Sequence, residues 1–196
     1  MELSFEHLFT LGLGIALAAS CGFRVFLPLL VVGVSNRADY LPVPEHFEWI
    51  ASNPAVILLA SATIAETLAY FIPWVDNLLD TIASPTAAIA GGIMTYGILD
   101  GFPPWMHWSL AIICGAGTAG AIQTGTVTVR AGSTATTGGL ANPAVAAGET
   151  AAAGTLAAAA IFTPALAMIA VVVLLFFCAK FVWAMIRGKD PAPEVT

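Results

Sequence analysis

Charge is what this chain has least of. Asp, Glu, Lys and Arg make up 9% of its 196 residues, where a soluble domain carries about 25%. Only six residues are cationic and the formal net charge is −6, which excludes a nucleic-acid surface built on rows of Lys and Arg. The three histidines, His7, His46 and His107, share no metal-binding spacing. The three cysteines, Cys21, Cys114 and Cys178, each sit in an apolar run and read as small buried hydrophobes, not as a disulfide framework or a metal site. No Walker or dinucleotide pattern and no nucleophile–base set is visible, so neither an enzyme nor a cofactor is expected. The start, Met1-Glu2-Leu3-Ser4-Phe5-Glu6-His7, is acidic where a secretory signal is positive, so no cleaved signal is expected.

What the chain does have is apolar length, with 59% of residues hydrophobic. About 20 apolar residues cross the ~30 Å hydrocarbon layer of a bilayer. Six segments approach or reach that length: Leu8–Val34, Pro54–Ile72, Pro85–Leu99, Trp108–Val129, Pro143–Phe162 and Ala165–Ile186. The fold class is therefore all-α, a polytopic transmembrane bundle. It forms a single membrane domain over residues 1–186, with a polar C-terminal tail over 187–196. Before the third segment, apolar residues at 75, 78, 79 and 82 have the spacing of an amphipathic helix lying in the interface. Trp49, Trp74, Trp105, Trp108 and Trp183 flank segment ends as interfacial anchors. Gly14, Ala18 and Gly22, and again Ala147, Ala151 and Thr155, form small-residue rows suited to close helix packing.

Five crossings and six are both allowed. Segments five and six meet at Phe162-Thr163-Pro164-Ala165 without a polar loop, so they read either as one Pro-kinked helix or with the fifth segment re-entrant. With the Lys180/Arg187/Lys189 end in the cytoplasm, loop cations favour the cytoplasmic side four to one for either count. An internal repeat favours six. Asn53-Pro54-Ala55-Val56 recurs as Asn142-Pro143-Ala144-Val145, and upstream an offset of 93 pairs Cys21 with Cys114, Gly22 with Gly115 and Arg37 with Arg130. Halves 8–99 and 108–186, each with three crossings, would form the inverted repeat of many transporters.

The stretches Gly22-Phe23-Arg24-Val25-Phe26-Leu27-Pro28-Leu29-Leu30, Leu41-Pro42-Val43-Pro44-Glu45 and Ile72-Pro73-Trp74-Val75-Asp76-Asn77-Leu78-Leu79-Asp80 resemble a widespread bacterial integral-membrane family that carries only a domain-of-unknown-function label. The resemblance covers nearly the whole chain and is most specific over 20–85. It implies a bacterial inner membrane, but no activity and no catalytic residues.

Candidate functional residues are the polar groups that apolar segments should not hold. Arg24 is the only charge between Leu8 and Val34, and a guanidinium cannot be neutralised, so it needs a partner, a water-filled cavity or the interface. Glu66 in the second segment is its expected partner, as a substrate or proton site or as a structural pair. Glu149 reads as a titrating group or as a first-turn carboxylate complementing a helix dipole. The hydroxyl- and Gly-rich stretch Gly125–Pro143 is expected to fold back as an ordered, cavity-lining loop, with Gln123 one turn earlier, Gly138 and Gly139 allowing close approach of a solute, and Asn142 capping the next helix. Asp76 and Asp80 share a helix face, read as solvated rather than cation-binding. The function these residues support is a small transporter or channel for an ion or small polar solute, with Arg24 and Glu66 as its centre and Gln123, Gly138, Gly139, Asn142 and Glu149 along its path. The alternatives are a scaffold or accessory subunit with a closed core, and a lipid-handling protein with a lateral opening. The expected partners are the lipid bilayer, the solute and, in a homo-oligomer, further copies of the chain.

Overall fold

A computed structural model of the chain describes residues 5–72 and 75–187. Trp74 and the polar tail from residue 188 lie outside them. Among the described residues all regular structure is helical: α1 (Phe5–Cys21), α2 (Phe26–Arg37), a 3-10 turn (Glu45–Ala51), α3 (Asn53–Ala69), α4 (Val75–Ile98), α5 (Pro104–Leu110), a π-helical turn (Ala111–Ala116), α6 (Gly117–Thr137), α7 (Asn142–Phe162) and α8 (Pro164–Arg187).

Proline sets several of these boundaries. Pro54, Pro104 and Pro143 stand in the opening positions of α3, α5 and α7, where a missing N–H costs nothing. Pro28 divides the first apolar segment. It has no N–H to donate to the Arg24 carbonyl four residues back, and its ring would clash with that carbonyl, so the chain breaks over Gly22–Val25 and restarts as α2. The interfacial helix expected before the third segment is instead the first two turns of the continuous α4, which carries Pro85 inside it. Segments five and six are separate helices, parted at Thr163, whose φ of −143° and ψ of 64° end α7.

Among the described residues, three helices are long and apolar enough to cross a bilayer: Pro104–Thr137, Asn142–Phe162 and Pro164–Phe181. A fourth is added if the 3-10 turn and α3, bent by 59°, count as one span. This is the build of an integral membrane protein. Exposed apolar side chains run along α8 (Leu166, Ile169, Val172, Phe176) and α3 (Ile57, Leu58, Ile64, Leu68), as a bilayer-facing surface requires.

The core forms around α1, which packs on α4, α6, α7 and α8. Small residues let the helices approach closely. A Cβ on Gly22 would lie 2.6 Å from the Ala119 carbonyl oxygen, and one on Gly91 would lie 2.5 Å from the Ala119 Cβ. The Gly14/Ala18/Gly22 row is thus a packing face. Ala147, Ala151 and Thr155 instead point outward, and α7 packs through Ala146, Ala153, Ala157 and Ala160.

Candidate functional site

The break between α1 and α2 exposes the first backbone N–H groups of α2 inside the bundle. Glu66, near the C-terminus of α3, meets them: its carboxylate accepts hydrogen bonds from Val25 N at 2.9 Å and Phe26 N at 3.2 Å. An anion at a helix N-terminus satisfies orphaned donors and complements the dipole. Glu66 is therefore committed to the backbone, and the expected Arg24–Glu66 ion pair gives way to a different one.

Arg24, 1% exposed, reaches across to α7. Its Nε donates to Thr150 Oγ1 at 2.9 Å, its Nη2 to the Ala146 carbonyl at 2.7 Å, and its Nη1 lies 3.4 Å from Glu149 Oε2. Residues 146, 149 and 150 share one helical face by their spacing. The same Glu149 Oε2 accepts from Arg130 Nη2 of α6, and Arg130 Nη1 donates to Asp80 Oδ1 of α4 at 2.5 Å. Both guanidiniums lie over the Tyr70 ring, with Cζ 4.1 Å (Arg24) and 4.3 Å (Arg130) from its centroid. Such stacking suits the planar, weakly hydrated guanidinium. Asn142 extends the network: its Nδ2 donates to Asp76 Oδ2 at 2.6 Å and to Thr134 Oγ1 at 2.9 Å.

The result is one buried centre joining α2, α3, α4, α6 and α7. Asp76, Asp80, Asn142 and Glu149 are all at least nine-tenths buried. Glu149 and Arg130 each stand seven residues from the turn linking α6 and α7, so the centre lies about 10 Å in from that end of the bundle. The satisfaction is incomplete. Glu149 Oε1, Asn142 Oδ1, Arg130 Nε and Arg24 Nη1 are buried without a hydrogen-bond partner. A purely structural polar network is normally fully satisfied, because each orphan costs about 1–3 kcal/mol.

Two apolar grooves end on this centre. One, of about 390 Å³, runs between α2, α3 and α4 to Glu66 and Tyr70. The other, of about 350 Å³, runs between α6, α7 and α8 to Glu149.

The remaining sequence-predicted residues are placed as follows. Gln123 is buried on α6, two turns before Arg130, with its Nε2 unpartnered. The stretch Gly125–Pro143 is not an irregular re-entrant loop. It is ordered and partly buried as expected, but it is the second half of α6, a short turn and the start of α7. Gly138 and Gly139 take φ of 65° and 88°, the left-handed conformation that ends a helix. They shape this turn, away from the charged centre. Asn142 opens α7 but does not cap it, because its side chain is spent on Asp76 and Thr134. At α3 the cap is Ser52, whose Oγ accepts from Ala55 N, while Asn53 accepts from Arg37. Asp76 and Asp80 do share a face, but it is buried, and the cation that Asp80 holds is Arg130. Arg130, Asp80, Asp76 and Tyr70 are the members that sequence reasoning leaves out. The signals were an i, i+4 acid pair and a lone cation in a hydroxyl-rich stretch. Among the described residues, no three His, Cys, Asp or Glu side chains are placed to hold a metal ion.

The chain belongs to the family described as Domain of unknown function (DUF4126), which it matches over residues 11–184. No curated protein and no solved structure matches it.

Proposed function

We propose that this DUF4126 protein is a small membrane transporter or channel that moves an ion or small polar solute through the Arg24–Glu149–Arg130 centre. The observation that carries the reading is a charge imbalance buried inside an incompletely bonded network. Among the described residues, two arginines, Arg24 and Arg130, face three carboxylates, Glu66, Asp80 and Glu149, so the fully ionised set carries two positive and three negative charges, net −1. The arginines stay charged. Net negative charge away from water is costly, so the centre favours uptake of a small cation or of protons. The reading assigns no catalysis to these residues.

The repeat enters this reading through α3 and α7 alone, because α1 and the start of α6 both run antiparallel to α4, with Gly14 and Gly115 each against Thr95 and Ala18 and Ala119 each against Gly91, and so share one direction. The α1–α2 break and the π-helical turn fall at positions 93 apart, at Gly22 and Gly115, and both glycines lie where a Cβ would collide with a neighbouring helix. π-turns recur at functional sites. Asn53-Pro54 and Asn142-Pro143 each open a helix. α1 and α2 form a hairpin that brings Tyr40 and Leu41 back beside Phe9 and Leu13, so counting α5–α6 as one crossing with α3, α4, α7 and α8 gives five, in a bacterial inner membrane with the C-terminus cytoplasmic.

A second reading, lipid handling, is favoured by the two grooves, which are apolar and each carry an acid at the inner end. Purified protein in sealed vesicles separates the two. The transport reading expects dye-reported uptake of H⁺, Na⁺ or K⁺ down an imposed gradient, lost in Glu149→Gln. Uptake no faster than in protein-free vesicles, with accelerated exchange of labelled lipid between leaflets, would favour the second.

A further inference from the structure

The groove between α6, α7 and α8 has a mouth and an end of opposite character. At the mouth stand Val129, Phe177 and Phe181, which are 48%, 60% and 45% exposed, so it opens sideways, where the bilayer's acyl chains lie. Its walls are apolar, with Ile122 and Cys178 among them. At the inner end is Glu149, 6% exposed. Glu149 Oε2 is occupied by both guanidiniums, whereas Oε1 has no hydrogen-bond partner.

A buried carboxylate oxygen without a donor is an unfilled acceptor, and among the described residues of the centre behind it Glu66, Asp80 and Glu149 outnumber Arg24 and Arg130. Both facts select the same ligand head: one that donates a hydrogen bond and carries positive charge. An anion is repelled, and a neutral donor fills the oxygen but leaves the imbalance. The walls select the rest of the ligand, an apolar body that reaches the site through the bilayer.

We propose that this groove is a binding site for a lipophilic amine, whose protonated nitrogen donates to Glu149 Oε1 while its hydrocarbon or aromatic body lies between α6, α7 and α8. The site goes beyond the transport reading and needs binding alone, so it stands or falls separately from ion flux.

Cys178 reports on occupancy. It lines the groove half-buried, whereas Cys21 is fully buried, so a Cys114→Ser protein presents Cys178 as its accessible thiol. Alkylation of Cys178 by N-ethylmaleimide, followed by mass in the full-length detergent-solubilised protein, is measured with 2-naphthylmethylammonium and with its neutral isostere 2-naphthylmethanol. The amine is expected to protect at roughly tenfold lower concentration than the alcohol, the value of one charge-assisted hydrogen bond. Equal protection by both shows a merely apolar slot and overturns the proposal, as does protection by neither. In Glu149→Gln the amine is expected to fall to the potency of the alcohol, and retention of its advantage overturns the proposal. Should that variant not fold, Val129→Trp, at the exposed rim, obstructs the mouth without touching the charged centre. Radiolabelled amine should then bind about tenfold more weakly, and unchanged binding overturns the site.

Discussion

Glu149→Gln is the substitution that most directly examines the buried centre. The side chain keeps its volume and loses its charge. In the native protein Glu149 Oε2 serves two guanidiniums, each almost wholly buried. Removing one partner of a buried ion pair costs about 3–5 kcal/mol, because the other charge is left uncompensated. Here the loss is cushioned. Arg130 keeps Asp80 at 2.5 Å, and Arg24 keeps the Ala146 carbonyl and Thr150 hydroxyl. Both keep the Tyr70 face, and the centre as a whole moves one charge closer to neutrality. The expected destabilisation is therefore at the lower end, about 3 kcal/mol. At about 2–4 °C per kcal/mol for a chain of this size, the midpoint should fall by about 6–12 °C. Thermal unfolding in detergent followed by near-UV circular dichroism measures it. A double-mutant cycle with Arg130→Met should return a coupling energy of at least about 1 kcal/mol, since the two side chains touch. An unchanged midpoint, or strict additivity in the cycle, would show that Glu149 does not hold the arginines.

Three further outcomes follow from the same geometry. Glu66→Gln takes the charge and one of two acceptor oxygens from a helix cap and breaks no ion pair, so it should cost only about 1 kcal/mol and speed amide exchange at Val25 or Phe26; a loss as large as that of Glu149→Gln would return Glu66 to Arg24. Gly22→Ala drives a methyl to 2.6 Å from the Ala119 carbonyl and should destabilise by about 1–3 kcal/mol, while Gly132→Ala, on a helix with open space around it, should be neutral or stabilising by about 0.5–1 kcal/mol in the same unfolding assay. Because α3 and α7 run in opposite directions, thiols introduced at Ser52 and Leu140, before the two Asn-Pro helix starts, should react with an impermeant maleimide from opposite sides of oriented vesicles, and labelling from one side would contradict this arrangement.

Much of the fold is legible because lipid imposes a simple rule: long apolar runs become helices, and prolines mark where they start. The second, fifth and sixth segments map onto α3, α7 and α8 within a few residues. The reading falters where polarity is compensated at a distance. Asp76 and Asp80 lower the hydropathy of the first two turns of α4, so the segment looks interfacial, yet those acids are buried because Arg130 and Asn142 meet them. The hydroxyls of residues 124–137 suggest an irregular loop, but Thr124, Thr128, Thr134, Thr136 and Thr137 each donate back to a carbonyl one turn earlier, which leaves the helix intact. Arg24 stands out in the sequence because nothing nearby can neutralise it. Its partner does not, since Glu66 and Glu149 are equally isolated acids in apolar runs. What decides between them is the helix break over Gly22–Val25, which hands Glu66 two backbone donors and leaves Glu149 to the arginines.

The central claim is that this charged centre carries ions. Current across a solid-supported membrane bearing purified protein tests it most directly, with rapid jumps in H⁺, Na⁺ or K⁺ concentration. The account predicts charge displacement for at least one cation in the wild-type protein and its loss in Glu149→Gln protein that retains its helical circular dichroism. Displacement of equal size in the variant, or none in the wild type for any of the three cations, would contradict it.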